Sequence, residues 1–224
     1  MNGSLMQACE AQDPQLANTL RDHAAKEPVH YQNCLGGLLA EHHRVVGHPL
    51  SVLETGVRWA LSTDSILTEL DAQNDGGTLV SVDPFTLPGL YAIKHPKWEL
   101  VAALSKDFLT GLVGRPETAY DVFLHDSDHE VWCQTFEYEV AWYLVNPGGI
   151  IATDDSRWGP HGAWLSFAAR HGQNEMARDN LRYIYKPLNA KVLRGKDLGG
   201  AIFVARSLAD AALAAWKFQG GPFQ

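Results

Sequence analysis

Between Ser51 and Thr153 the sequence alternates short apolar runs with longer stretches of helical periodicity, and that alternation leaves few folds open. Ser51–Glu54, Thr78–Val82, Glu99–Ala102, Asp121–Leu124 and Ile150–Thr153 read as strands. Trp59–Leu70, Lys106–Leu112, Glu130–Leu144 and His161–His171 read as helices between or after them. A strand that recurs after each helix is most simply buried in a parallel sheet with helices on both faces, the Rossmann-like α/β arrangement. Asp75-Gly76-Gly77 and Asn146-Pro147-Gly148-Gly149 supply the stops between helix and strand. Toward the end, Leu181–Tyr185 and Ala201–Ala205 read as a terminal hairpin that adds an antiparallel strand. From Pro14 to Val46 the pattern is helical, with Leu16, Leu20, Leu35, Leu38 and Leu39 on one face and Pro28 interrupting. The expected organisation is a helical lead-in over residues 1–48 and one compact unit over 49–224.

Composition narrows the partners. The 224 residues are 46% hydrophobic and 20% charged, which suits one large globular domain. Eighteen basic side chains against 26 acidic ones give a formal charge of −8, and no Lys/Arg run tracks a phosphate backbone, so no nucleic-acid partner is expected. Cys9, Cys34 and Cys133 are widely spaced and odd in number, as expected of reduced thiols in a cytoplasmic protein. No leader pattern opens the sequence, and no stretch is expected to reach the ~20 apolar residues of a membrane span. Apolar residues in the lead-in would support a homo-oligomer.

Acids gather where the strands end. In an open parallel sheet ligands sit at the carboxyl ends of the strands, so residues at successive strand ends meet although the sequence separates them. The first strand ends in Glu54-Thr55-Gly56, followed by Ser62-Thr63 at the mouth of a helix: an acid, a glycine that permits close approach, and hydroxyls at a helix start. One glycine alone is not the pyrophosphate fingerprint G-x-G-x-x-G. Asp83, at the end of the second strand, reads by itself either as a turn-forming Asp-Pro or as an acid that accepts both hydroxyls of a ribose, with Phe85 beside it to pack on a base, and its register with Glu54-Thr55-Gly56 favours the second. The fourth strand opens onto Asp126-Ser127-Asp128-His129 and the fifth onto Asp154-Asp155. Taken by itself each acid cluster is equally explained without a ligand, Asp126–His129 as a helix N-cap and Asp154-Asp155 as a loop before Trp158-Gly159-Pro160; the two at adjacent strand ends point to a cation site with a titratable imidazole beside it. Trp132, Phe136, Val140 and Leu144 follow helical spacing and read as core, and His125 reads as packed inward. Arg157, Trp158, His161 and Trp164 serve equally as one wall of an acceptor pocket or as ordinary packing.

The combination V-L-E-T-G-V with S-T, S-V-D-P-F, F-L-H-D-S-D-H and N-P-G-G-I-I-A-T-D-D resembles the class I S-adenosylmethionine-dependent methyltransferases. More narrowly it is similar to the small-molecule O-methyltransferase branch that includes macrolide-sugar methyltransferases and cephalosporin-hydroxylase-like proteins, over about Val52 to Phe167. The resemblance implies a seven-stranded sheet whose last strand is antiparallel. It implies that Glu54 and Gly56 line the methionine side of S-adenosylmethionine, that Asp83 holds the ribose and that Ser105 lies near the adenine. It further implies that Asp126, which also faces the cofactor, joins Asp154 and Asp155 in holding a divalent cation such as Mg2+, and that His129 is the catalytic base. Where such proteins place further glycines, this chain carries Trp59, Ala60 and Leu61.

The expected function is therefore metal-assisted transfer of a methyl group from S-adenosylmethionine to a hydroxyl of a small molecule. Hard oxygen ligands suit magnesium, and an imidazole suits proton uptake near neutral pH. Two alternatives use the same residues: a metal-dependent hydrolase whose aspartates activate water, and a non-catalytic binding protein whose donor pocket is obstructed at Trp59-Ala60-Leu61.

Overall fold

The computed structural model describes residues 4–26, 32–115, 119–154 and 161–218. Seven strands form one sheet in the order β3-β2-β1-β4-β5-β7-β6: β1 Ser51–Thr55, β2 Thr78–Val82, β3 Trp98–Val101, β4 Tyr120–His125, β5 Val145–Thr153, β6 Met176–Arg178 and β7 Leu181–Tyr185. Strands β1 to β5 pair in parallel, while β7 runs antiparallel to both β5 and β6. The chain reverses between β1 and β4, so the strand ends that face each other at this switch of direction are those of β1, β2, β4 and β5.

Two apolar layers cover the sheet because alternate strand residues point to opposite faces. On one face Val52, Leu79, Val122, Leu124 and Ile150 meet helices α1 Ser4–Gln12, α2 Pro14–Ala24, α3 Gln32–Val46 and α4 Leu61–Gln73 through Leu5, Leu16, Leu35, Leu39 and Ile66. On the other, Leu53, Phe123, Ile151 and Ile184 meet α5 Ser105–Gly111, α6 Val131–Leu144, α7 His161–Arg170 and α8 Lys196–Phe218. The lead-in is anchored by hydrogen bonding as well as packing. Asp64, nearly buried in the first turn of α4, accepts a hydrogen bond from the Met6 amide at 3.1 Å and so stabilises the start of α1.

Three sequence expectations change. Ala201–Ala205 is helical, inside the 23-residue α8, and the hairpin partner of β7 is the three-residue β6. Leu198, Ala201, Ile202, Ala205 and Ala209 recur at helical spacing and bury one stripe of α8 against α6, a period that a five-residue apolar window conceals. The stretch Lys196–Ala215 is also long and apolar enough, by length and composition alone, to cross a membrane, contrary to expectation; 28% of that window is buried in the fold. Helix α4 starts at Leu61 rather than Trp59, because Arg58 and Ala60 adopt left-handed backbone (φ 45° and 57°) and form a turn there.

At the opposite edge from the strand ends, Lys186 is buried, its ammonium donating to the Val145 and Lys191 carbonyls at 2.7 and 2.8 Å and lying 5.7 Å from the Trp142 ring centre. Burial pushes its pKa down from 10.5 to about 8. The unfolded chain therefore binds more protons than the folded one between these values, so this lysine adds stability as pH rises from about 8 toward 10.5. The difference in unfolding free energy between the wild type and Lys186→Met, followed by denaturant titration across that range, is expected to shift in favour of the wild type as pH rises.

Candidate active site

The loops after β1, β2, β3, β4 and β5 enclose a cavity of about 710 Å3. Gly56, Asp83, Ser105, Asp126, His129 and Asp154 all line it, so six strand-end residues separated by up to a hundred positions in sequence face one space. Glu54 does not. Its side chain is fully buried below the β1 turn, where Oε2 accepts from the hydroxyls of Thr63 (2.7 Å) and Ser81 (2.6 Å), and burial raises its pKa despite those donors. In this structure Glu54 braces the turn from beneath. Asp155, Arg157 and Trp158 lie outside the described residues.

The turn itself is held from the β2 side. Asp83 Oδ2 accepts from the amides of Val57 (2.8 Å) and Arg58 (2.9 Å), and Oδ1 from that of Phe85 (2.6 Å). Thr86 Oγ1 donates to the Arg58 carbonyl and Tyr91 to that of Asp83. These bonds hold Arg58 and Ala60 in a conformation that non-glycine residues avoid. The turn aims Trp59 away from the cavity centre: its indole stacks on His23 of α2, ring centres 3.5 Å apart and planes within 10°. Trp59 thus forms part of the wall and leaves the space open.

The β4 and β5 ends continue the sheet ladder into the loops. The Asp126 amide donates to the Thr55 carbonyl at 2.8 Å and the Asp154 amide to the His125 carbonyl at 3.1 Å, which brings both carboxylates to the same cavity. Asp154 is buried and Asp126 half-buried. His125 is fully buried, Nδ1 to Glu137 at 2.7 Å, and its ring meets that of His129 edge-on with centres 5.9 Å apart. Asp128 accepts from the Glu130 amide at 3.0 Å, closing a short turn before α6.

Several lining residues escaped the sequence reading. Trp132, expected in the core, lines the cavity, with the Lys106 ammonium 5.9 Å from its ring centre; Phe136, Val140 and Leu144 of the same stripe are buried. The first turn of α6 lies at the open end of the sheet, where a residue of a core stripe runs out of core to pack on. Trp164, considered for an acceptor wall, is buried and donates its indole N–H to Glu175. Phe85 stands at the rim, 86% exposed. Glu137, beneath the cavity rather than in its lining, acquires meaning only when β1, β4 and α6 are set side by side.

Gly56 (φ 86°) is required by chain packing. A Cβ there would lie 2.0 Å from the Asp126 carbonyl oxygen and 2.7 Å from the Ser127 nitrogen, both backbone atoms that cannot swing aside. At Gly76 (φ 92°) a Cβ meets nothing within 4 Å, so only backbone strain opposes a side chain. Gly56→Ala is expected to destabilise the protein by about 2 kcal/mol or more beyond the cost of Gly76→Ala, measured by denaturant unfolding.

Residues 53–156 match a family described as a methyltransferase domain. No curated protein matches the chain in sequence. Among solved structures, the calicheamicin methyltransferase CalS11 is similar over 80% of this chain and 89% of its own, with TM-score 0.54 and 15% identity. A putative caffeoyl-CoA O-methyltransferase from Staphylococcus aureus is similar over 81% of this chain and 97% of its own, with TM-score 0.52 and 12% identity. The MycE methyltransferase of mycinamycin biosynthesis, solved with Mg, SAH and mycinamycin VI, is similar over 70% of this chain, with TM-score 0.52 and 14% identity; the chain spans about half the length of that protein, 50%. The seven-stranded sheet has the fold of these solved methyltransferases, and residues 53–156 within it are the part that matches the methyltransferase-domain family.

Proposed function

We propose that the protein is an S-adenosylmethionine-dependent O-methyltransferase acting on a hydroxyl of a small molecule, with a divalent cation assisting. The observation that carries this reading is the single cavity at the strand ends of a methyltransferase domain, lined at once by Asp83 and Ser105 and by Asp126, His129 and Asp154. A similar fold solved with Mg and SAH supports it. Asp83 spends three acceptor positions on backbone amides, and since each carboxylate oxygen has two lone-pair sites, Oδ1 keeps one for a ribose hydroxyl. Phe85 and Trp132 offer apolar faces to a base.

Asp126 and Asp154 are hard oxygen donors facing one space, the chemistry that magnesium prefers, and they would hold it together with Asp155. Among the described residues no cluster of three metal-ligating side chains is gathered, so the remaining positions fall to Asp155, water or acceptor oxygens. A cation there supplies positive charge that makes a neighbouring hydroxyl more acidic. His129 takes the proton from the acceptor hydroxyl as its oxygen attacks the methyl carbon. The new C–O bond forms as the C–S bond breaks, and the electron pair of the latter stays on sulfur, converting the sulfonium to the neutral thioether.

Calorimetry with S-adenosylhomocysteine and transfer assays with labelled donor over a panel of hydroxylated sugars and phenols test the proposal. The wild type is expected to bind S-adenosylhomocysteine and to methylate in a magnesium-dependent manner. His129→Ala is expected to lower transfer by about 10²–10⁴-fold with thioether binding intact, and Asp154→Asn to abolish the magnesium dependence. A chain that ignores S-adenosylhomocysteine at millimolar concentration is not a methyltransferase, and a hydrolase or donor-free binding protein would behave in that way.

A further inference from the structure

Beneath the cavity lies a carboxylate that the reaction does not touch. Glu137, in the middle of α6, has no exposed surface. Its Oε2 accepts from Thr55 Oγ1 at 2.5 Å and from His125 Nδ1 at 2.7 Å; its Oε1 accepts from Ser127 Oγ at 2.7 Å and, more weakly, from the Cys133 thiol at 3.4 Å. Burial pushes its pKa up, but the His125 ring and the hydroxyl donors, Ser105 among them, outweigh that and take it down to about 2.

The donors are chosen by position. Thr55 and His125 are the residues whose carbonyls receive the amides of Asp126 and Asp154, and Ser127 is the residue after Asp126. One buried anion therefore grips, by their side chains, the residues that hold the backbones of both cavity carboxylates. A buried charge of this kind is a poor way to gain stability, since well-packed apolar side chains commonly do as well. Its distinctive effect is to fix the directions of its donors.

We infer that Glu137 is a positioning residue of the donor and cation site, setting the placement of Asp126 and Asp154 through Thr55, His125 and Ser127. The inference rests on the function proposed above, and its test separates the two. In Glu137→Gln the amide oxygen can keep Thr55 and His125, while the amide N–H groups face Ser127 and Cys133, whose hydroxyl and thiol can rotate to accept. That variant should fold.

Hydrogen–deuterium exchange of the Asp126 and Asp154 amides is the decisive measurement, because it needs no ligand. Glu137→Gln is expected to raise exchange at these two amides by about tenfold with protection elsewhere in the sheet kept, and to weaken Mn2+ binding, used as a magnesium probe, by about 10–100-fold. Unchanged exchange at both amides, or a loss of protection spread evenly over the sheet, overturns the inference and leaves Glu137 a structural residue. Ser127→Ala, which deletes one donor and keeps the carboxylate, carries the same comparison should Glu137→Gln fail to fold. A wild type that binds no S-adenosylhomocysteine refutes the proposed function, while the exchange data still decide the role of Glu137.

Discussion

The candidate site depends on a contact between two backbones. The turn after β1 and the loop after β4 approach so closely at Gly56 and Asp126 that no side chain fits between them. Parallel pairing of β1 with β4 begins this contact, and the Asp126 amide on the Thr55 carbonyl extends it beyond the strands. Asp83 and Ser105 line the cavity from the β1 side of that seam, His129 and Asp154 from the β4 side. Because it is made of main chain, its geometry is set by the sheet and shared by every residue that lines the cavity.

Around the seam, acids of similar chemistry do different work because their surroundings differ. Glu54 is buried among hydroxyls, and burial disfavours its charged form; Glu137 is as deeply buried but faces His125, and its charged form is favoured. Asp83 is committed largely to backbone amides, whereas Asp126 and Asp154 face the cavity. The structure thus divides its carboxylates between those that shape the site and those that face the cavity, and solvent exposure alone does not sort them: Asp154 is as buried as Asp64, which caps a helix.

The sheet was legible because its signal is local. A five-residue apolar run flanked by turn residues announces a strand, and β2 appears where the sequence places it, Thr78–Val82. The cavity-lining acids were legible for a related reason, since the ends of parallel strands must converge. What remained hidden depends on neighbours distant in sequence. Glu137 lies 82 residues from Thr55 and reads as one more helical position. Trp132 shares the spacing of a core stripe, and only the place where α6 begins relative to the sheet turns it toward the cavity. Ala201–Ala205 misled because five apolar residues fit either period, and the longer stripe through Ala209 settles it as helix.

The same dependence on distant neighbours explains Trp59. Where a glycine-rich turn would leave open backbone, this chain uses Arg58 and Ala60 in left-handed conformations, a costly choice that the Asp83 and Thr86 hydrogen bonds sustain. The result is an indole that turns outward onto His23, while Asp64 ties the start of α1 to α4. The lead-in helices are thereby held at two points, to α4 through a carboxyl at a helix end and to the β1 turn through stacked rings. A bulky residue in this turn is compatible with an open cavity only because α2 provides a flat surface for it, so the lead-in is part of the architecture of the site.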